Sequence, residues 1–260
     1  KSIYGENHPY GKSSPETAYD SRTPAHLKRF FADHYTIENS FTVVSGNIEP
    51  RFVDRISSAI DTLPHGRMVY APMAEPCSVS YAKTDKADAL QSSLRMGRVL
   101  FDANHPDYVT MQVAVTLLGG YFGSRLVRNL REDKGYTYGI VARTGCFEDS
   151  GYLVIATQVS SQHRQASIDE IFSEMEQLRA HPVPDCELDM VKSVMIGEMM
   201  RVLDGPFGIC DVSIENIQNN TDNSRIEQIV DTIKQTTPDD IMRVARQYLN
   251  RDDITVVIAG

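Results

Sequence analysis

A helix-then-strand pattern stated twice, about one domain apart, constrains this chain more than any other feature. Thr23-Pro24 opens an amphipathic helix with Leu27, Phe30, Phe31 and Tyr35, and Phe41-Thr42-Val43-Val44 follows, ending at Gly46. Thr237-Pro238 opens another with Ile241, Val244, Ala245 and Tyr248, followed by Ile254-Thr255-Val256-Val257 and Gly260. Thr before Pro is a sound helix start. The hydroxyl caps a free backbone N–H, and proline loses nothing in the first turn, where its missing N–H would have had no partner. The Thr-Pro steps lie 214 residues apart and the Thr-Val-Val steps 213. Two matches at nearly one period point to a duplicated unit. The first copy is then expected to begin well before Lys1, with only its tail in this chain.

Hydrophobic periodicity fills in the rest. Helices are expected over 23–35 and 50–63, with a strand at 40–46 between them. Residues 64–78 contain three prolines and read as a linker. Strands follow near 79–84 and 89–99, then helices over 106–118 and 124–134. Strands 136–143 and 152–159 pair as a hairpin around 145–150. Helices over 163–180, 186–203 and 208–234 precede the last helix and strand. Strand pairs interleaved with helix pairs imply an α+β fold of two layers, a mostly antiparallel sheet with helices packed on one face. The expected division is 1–65, the tail of an upstream unit, and 66–260, a second domain.

Hydrophobic residues make up 41% of the chain, enough for a sizeable core. The net charge of −9 and pI near 5.3 argue against an electrostatic nucleic-acid binder. No apolar run approaches the ~18–20 residues of a membrane span. Cys77, Cys146, Cys186 and Cys210 are far apart and read as free, mostly buried thiols. The seven histidines are scattered, so no metal site is expected within the chain. Ser124 has no nucleophile-elbow context, which removes serine hydrolysis. Asp185, Glu187 and Asp189 read as an acidic first helical turn matched to the helix dipole.

Chemistry concentrates in residues 117–138, LLGGYFGSRLVRNLREDKGYTY. A glycine-rich break leads into a short helix carrying Arg131, Gly135 ends it, and Tyr138 is expected on the strand beyond. A permanently charged guanidinium fork and a phenol are thus set on either side of a helix-to-strand turn. Such donors suit an acyl oxygen on which negative charge develops. Gly119, Gly120 and Gly123 lack the order of a phosphate loop. Read from the residues alone, they suit a helix C-cap turn.

The segment resembles the second-domain signature of the pitrilysin/insulinase family of zinc peptidases, which includes the mitochondrial processing peptidases. The resemblance rests on Leu118-Gly119-Gly120, Ser124-Arg125-Leu126, Leu130-Arg131-Glu132, Gly135 and Tyr138, with the Arg–Tyr interval the family uses. Asn7-His8-Pro9-Tyr10-Gly11 is similar to the stretch after the zinc site in the family's first domain. Tyr35, Asn39 and Phe41 to Ile48 are similar to the close of that domain. The resemblance implies a LuxS/MPP-like metallopeptidase fold. It implies that Arg131 and Tyr138 bind and polarise a substrate carbonyl near a zinc ion held by another domain or subunit, with Gly119, Gly120, Tyr121 and Phe122 approaching the peptide. The family's His-x-x-Glu-His is missing here. Zinc is therefore expected in the parent protein or a partner subunit, none in this chain, and the chain alone is expected to be inactive. A peptide substrate and a homodimer or zinc-bearing partner are implied, with no nucleic acid and no membrane span. The rival expectation is a non-catalytic partner or scaffold subunit of the same family.

Overall fold

The computed structural model describes residues 1–67, 75–84, 86 and 88–260. The expected linker lies partly outside them. Among the described residues the strands are β1 Tyr81–Thr84, β2 Gln91–Leu100, β3 Ile140–Cys146, β4 Gly151–Ser160 and β5 Thr255–Ala259. They form one sheet in the order β1-β5-β2-β4-β3. β1 and β5 run parallel and the other neighbouring pairs antiparallel.

Side chains alternate across the pleat, so register decides which residues share a face. Ile258, Leu94, Thr157 and Ile140 line up across β5, β2, β4 and β3, and the next row of that face is Val256, Met96, Ile155 and Ala142. All eight are buried. The intervening row, Val257, Arg95, Ala156 and Val141, is more accessible. The helices therefore cover one face, as the alternation in β2 and β4 implies.

The helices are α1 Thr17–Asp20, α2 Pro24–His34, α3 Pro50–Ile60, α4 Tyr108–Val115, α5 Arg164–Ala180, α6 Asp185–Val202, α7 Pro206–Gln218, α8 Ser224–Gln235 and α9 Pro238–Tyr248. α4, α5 and α9 complete the core through Met111 and Val113, Ile171 and Leu178, and Ile241 and Val244, all essentially inaccessible. Burying one such side chain is worth about 1.5–3 kcal/mol. A polar clamp ties α9 to the start of α4. Tyr248 Oη donates to Asp107 Oδ2 at 2.8 Å, and Arg243 bridges Asp107 Oδ1 at 2.8 Å. The Arg243 hydrogen bond holds the Asp107 carboxyl below its ordinary range.

Several expectations need correction. Residues 41–44 join no ladder among the described residues, because no neighbouring strand is there to take their backbone N–H and C=O groups. The helical content expected over 208–234 is present and is divided into two helices, α7 and α8. The chain leaves the helical path at Asn220, whose φ of 54° is left-handed, and Thr221 N–H closes the turn on the Asn216 carbonyl at 2.8 Å. Of the four free cysteines, Cys77 and Cys186 are exposed and Cys146 and Cys210 are half-buried, so none is a core thiol.

The N-terminal residues reach the sheet through aromatic contacts. Tyr4 Oη donates to the Gly151 carbonyl at 2.9 Å, and Tyr10 stacks on Phe147 with ring centroids 4.0 Å apart. The stretch Asn7 to Gly11 is thereby fixed beside the β3–β4 hairpin.

Candidate functional site

The glycine-rich turn is built by a change of helical pitch. After α4 the chain continues as a π-helical turn, Thr116–Gly120, which Gly119 interrupts. A Cβ on Gly119 would lie 2.7 Å from Ala142 Cβ and 2.9 Å from the Ala142 nitrogen. Only glycine lets the turn seat this closely on β3.

Arg131 sits in a second π-helical stretch, Val127–Asp133. Its rotation is set from behind. Arg125 Nε and Nη2 donate to Glu187 Oε1 and Oε2 at 2.9 and 2.7 Å, a bidentate pair with side-chain exposures of 16% and 18%. The Glu187 hydrogen bond raises the arginine's pKa further. Asn129 Nδ2 donates to Glu170 Oε2 at 3.1 Å and Glu174 Oε1 at 2.7 Å, both on α5. Lys134 Nζ reaches Asn129 Oδ1 at 2.8 Å and Glu170 at 3.1 Å. α5 and α6 thus grip one side of the stretch, and Arg131 is left exposed.

Gly135 ends the stretch at φ 63°, a left-handed position glycine takes without strain. Tyr136 N–H then donates to the Leu130 carbonyl at 2.8 Å. The strand does not resume at once. Thr137 Oγ1 donates to the carbonyls of Gly139 and Gln158 at 2.9 and 2.8 Å, which ties residues 137–139 into a loop. β3 begins at Ile140, so Tyr138 precedes the strand on which it was expected.

The Arg131 guanidinium lies 4.8 Å from the Phe122 ring centroid, in cation–π range. Gly119, Gly120, Tyr121, Phe122 and Arg131 share one shallow groove of about 200 Å³, closed on the far side by Gly139 to Val141. Tyr138 adjoins that far wall and is 95% exposed, and Phe122 is 65% exposed. Tyr121 is half-buried, and burial raises its phenol pKa. The groove offers a cation, one exposed ring and a glycine backbone, and the exposed Tyr138 precedes its wall residue Gly139 in the chain. That suits an extended peptide with a carbonyl oxygen to polarise.

Among the described residues no three His, Cys, Asp or Glu side chains converge as a metal site. Zinc does not fit the donor set present. The half-buried hydrogen-bonding roles of Arg125, Glu187 and Asn129 escaped sequence reasoning, which took Glu187 for a dipole partner. The spacing of Glu170 and Glu174, one turn apart on α5, was the signal available.

A family model described as the peptidase M16 inactive domain matches residues 21–195. An uncharacterized zinc protease, YmxG, of Bacillus subtilis is 23% identical over 261 residues, covering 100% of this chain and 63% of the relative. A non-peptidase homolog of Helicobacter pylori is 24% identical over 66% of this chain and 40% of its own length. The solved peptidase M16 inactive domain from Pseudomonas fluorescens superposes with a TM-score of 0.90 at 23% identity, covering 100% of this chain and 63% of that one. A protease structure from Helicobacter pylori follows at 0.82 and 16%, covering 95% and 61%. The chain therefore spans less than two thirds of these relatives' lengths.

Proposed function

The chain belongs to the M16 peptidase family as an inactive C-terminal domain of zinc-protease-like proteins, and on that premise we propose that it is the substrate-holding half of a peptidase whose zinc is carried elsewhere. Arg131 binds and polarises the carbonyl of the bond to be cut, and Tyr138 donates to the oxyanion as it forms. Gly119, Gly120, Tyr121 and Phe122 line the path of the peptide. The observation that carries this reading is that Arg131 shares a groove with the glycine turn, while Tyr138 stands beside it with its hydroxyl free to move onto a substrate.

In this reading residues 1–65 are the tail of an upstream zinc-type unit, and 66–260 form the substrate-contacting domain. The exposed apolar side chains of α2 and α3, including Leu27, Phe30, Phe31 and Phe52, then pack against that unit or against a second subunit. The zinc lies with that unit or partner, and the present chain supplies no ligand to it.

The second reading is a non-catalytic scaffold subunit, favoured by the naming of one relative as a non-peptidase homolog. Turnover of an unfolded peptide by the full-length parent separates the two. Arg131→Ala and Tyr138→Phe are each expected to lower kcat by about tenfold to a thousandfold, the scale of losing an oxyanion donor. Unchanged turnover in both folded variants ends the first reading, and no turnover by the zinc-loaded parent favours the second.

A further inference from the structure

A half-buried ion pair is a costly way to hold a surface stretch, because each charge gives up water that its partner must replace. The stretch carrying Arg131 is held in this way all along its back. The Arg125 fork on Glu187 ties its start to the first turn of α6. Asn129, between Glu170 and Glu174, ties its middle to α5. Lys134 closes its end on Asn129 and Glu170. In front, Arg128 Nη2 donates to the Gly123 carbonyl at 3.3 Å, and the Phe122 ring lies against the Arg131 guanidinium.

These ties act on direction. Arg125 and Asn129 are four residues apart, about one helical turn, and share a side. Arg131 follows Asn129 by two residues, about half a turn at helical pitch, and leaves on the other side. Holding Asn129 on α5 therefore sends Arg131 away from α5 and into the groove of the glycine turn. The widened pitch makes the hold matter. π-Helical turns are rare and occur mostly at functional sites. A stretch that relaxed to ordinary pitch between Arg125 and Arg131 would rotate the arginine about the helix axis and off the groove.

We propose that Arg125, Glu187 and Asn129 are positioning residues for Arg131. They fix the rotation of the π-helical stretch, so that the guanidinium meets a substrate carbonyl without reorganising. The inference rests on the role given to Arg131 above. A donor aligned on folding needs no realignment during reaction, and a displacement of about 1 Å caused by a remote residue can cost about a hundredfold in rate.

The test is a double-mutant cycle on the zinc-loaded full-length parent, with an unfolded peptide as substrate. Glu187→Gln keeps the shape of the side chain and removes its charge. It is expected to lower kcat by about tenfold or more in the parent, and by less than about twofold in the Arg131→Ala background, where nothing is left to position. A merely structural role would cost the same factor in both. Lys134→Met changes an exposed side chain and should follow the same pattern with a smaller loss, so it decides should Glu187→Gln misfold. A second readout needs neither zinc nor substrate. In the present chain, the order parameter of the Arg131 Nε–H by NMR relaxation is expected to fall in Glu187→Gln. Equal losses in both backgrounds, an unchanged order parameter, or full turnover in both variants while Arg131→Ala is impaired would each overturn the proposal and leave the reading of Arg131 standing. Full turnover in Arg131→Ala would overturn both.

Discussion

The two copies of the Thr-Pro helix and its following strand meet different fates. In the C-terminal copy, α9 buries Ile241, Val244, Ala245 and Tyr248, and the following residues become β5, paired on both sides between β1 and β2. In the N-terminal copy, α2 has no buried residue and its strand sequence joins no ladder. The local instructions are alike, down to a threonine cap on each helix. What differs is the neighbourhood. A helix of eleven residues is marginal by itself, and most of its stability comes from packing an apolar face. α9 has β2, α4 and α5 around it, whereas Leu27, Phe30 and Phe31 face solvent at 64%, 55% and 53%.

The sharpest way to break this comparison is to truncate matching positions. Ile241→Ala or Val244→Ala is expected to cost about 2–5 kcal/mol as a core cavity, whereas Leu27→Ala or Phe30→Ala should fall within about 0.5 kcal/mol. Urea unfolding of the four variants reads the contrast. Equal losses in both helices would mean that α2 is packed in solution.

Next in size is the clamp that only the C-terminal copy possesses. Asp107→Asn is expected to cost about 1–2 kcal/mol at neutral pH, the scale of a hydrogen bond to a charged group. The sign with pH follows from the lowered carboxyl. Its contribution is complete above the unfolded value of about 4 and is lost as pH falls through the lower folded one. The variant and the parent chain should therefore converge in stability at acid pH. The gap should narrow as pH falls below about 4, and a gap of constant size throughout that fall would remove the clamp from the account.

The caps give the smallest effect. Thr237 and Asp240 exchange hydrogen bonds of 3.2 and 2.9 Å as a reciprocal capping box, while Thr23 accepts one of 3.3 Å from His26. Thr237→Ala is expected to cost about 1 kcal/mol, and Thr23→Ala only a few tenths, because global unfolding does not depend on α2. Hydrogen exchange would sharpen the point by placing α2 amides among the first to open and α9 amides among the last.

Local rules made much of this molecule legible. Helix starts at Thr23 and Thr237 followed from two adjacent residues, and the strands near 89–99 and 152–159 lie where the sequence pattern placed them. The groove residues from Gly119 to Arg131 lie within thirteen positions of one another, so sequence proximity alone gathered them. What stayed hidden depends on distant partners or fine geometry. The fate of residues 41–44 turns on a neighbouring strand that no local pattern reveals. The late start of β3 comes from the Thr137 hydroxyl reaching Gln158 across the hairpin. The widened pitch around Arg131 comes with carboxylates on α5 and α6 that hold Asn129 and Arg125.

The aromatic side chains of α2 have a practical corollary at the bench. Phe30 stacks on His34 with centroids 4.1 Å apart, and Phe31 on Tyr35 at 4.6 Å, all on the surface. Environment-sensitive dyes such as ANS fluoresce on apolar surface of this kind. A cold, folded sample of this chain will already glow, so dye-based melting curves will start bright and report little. Circular dichroism of the helices will give the cleaner transition.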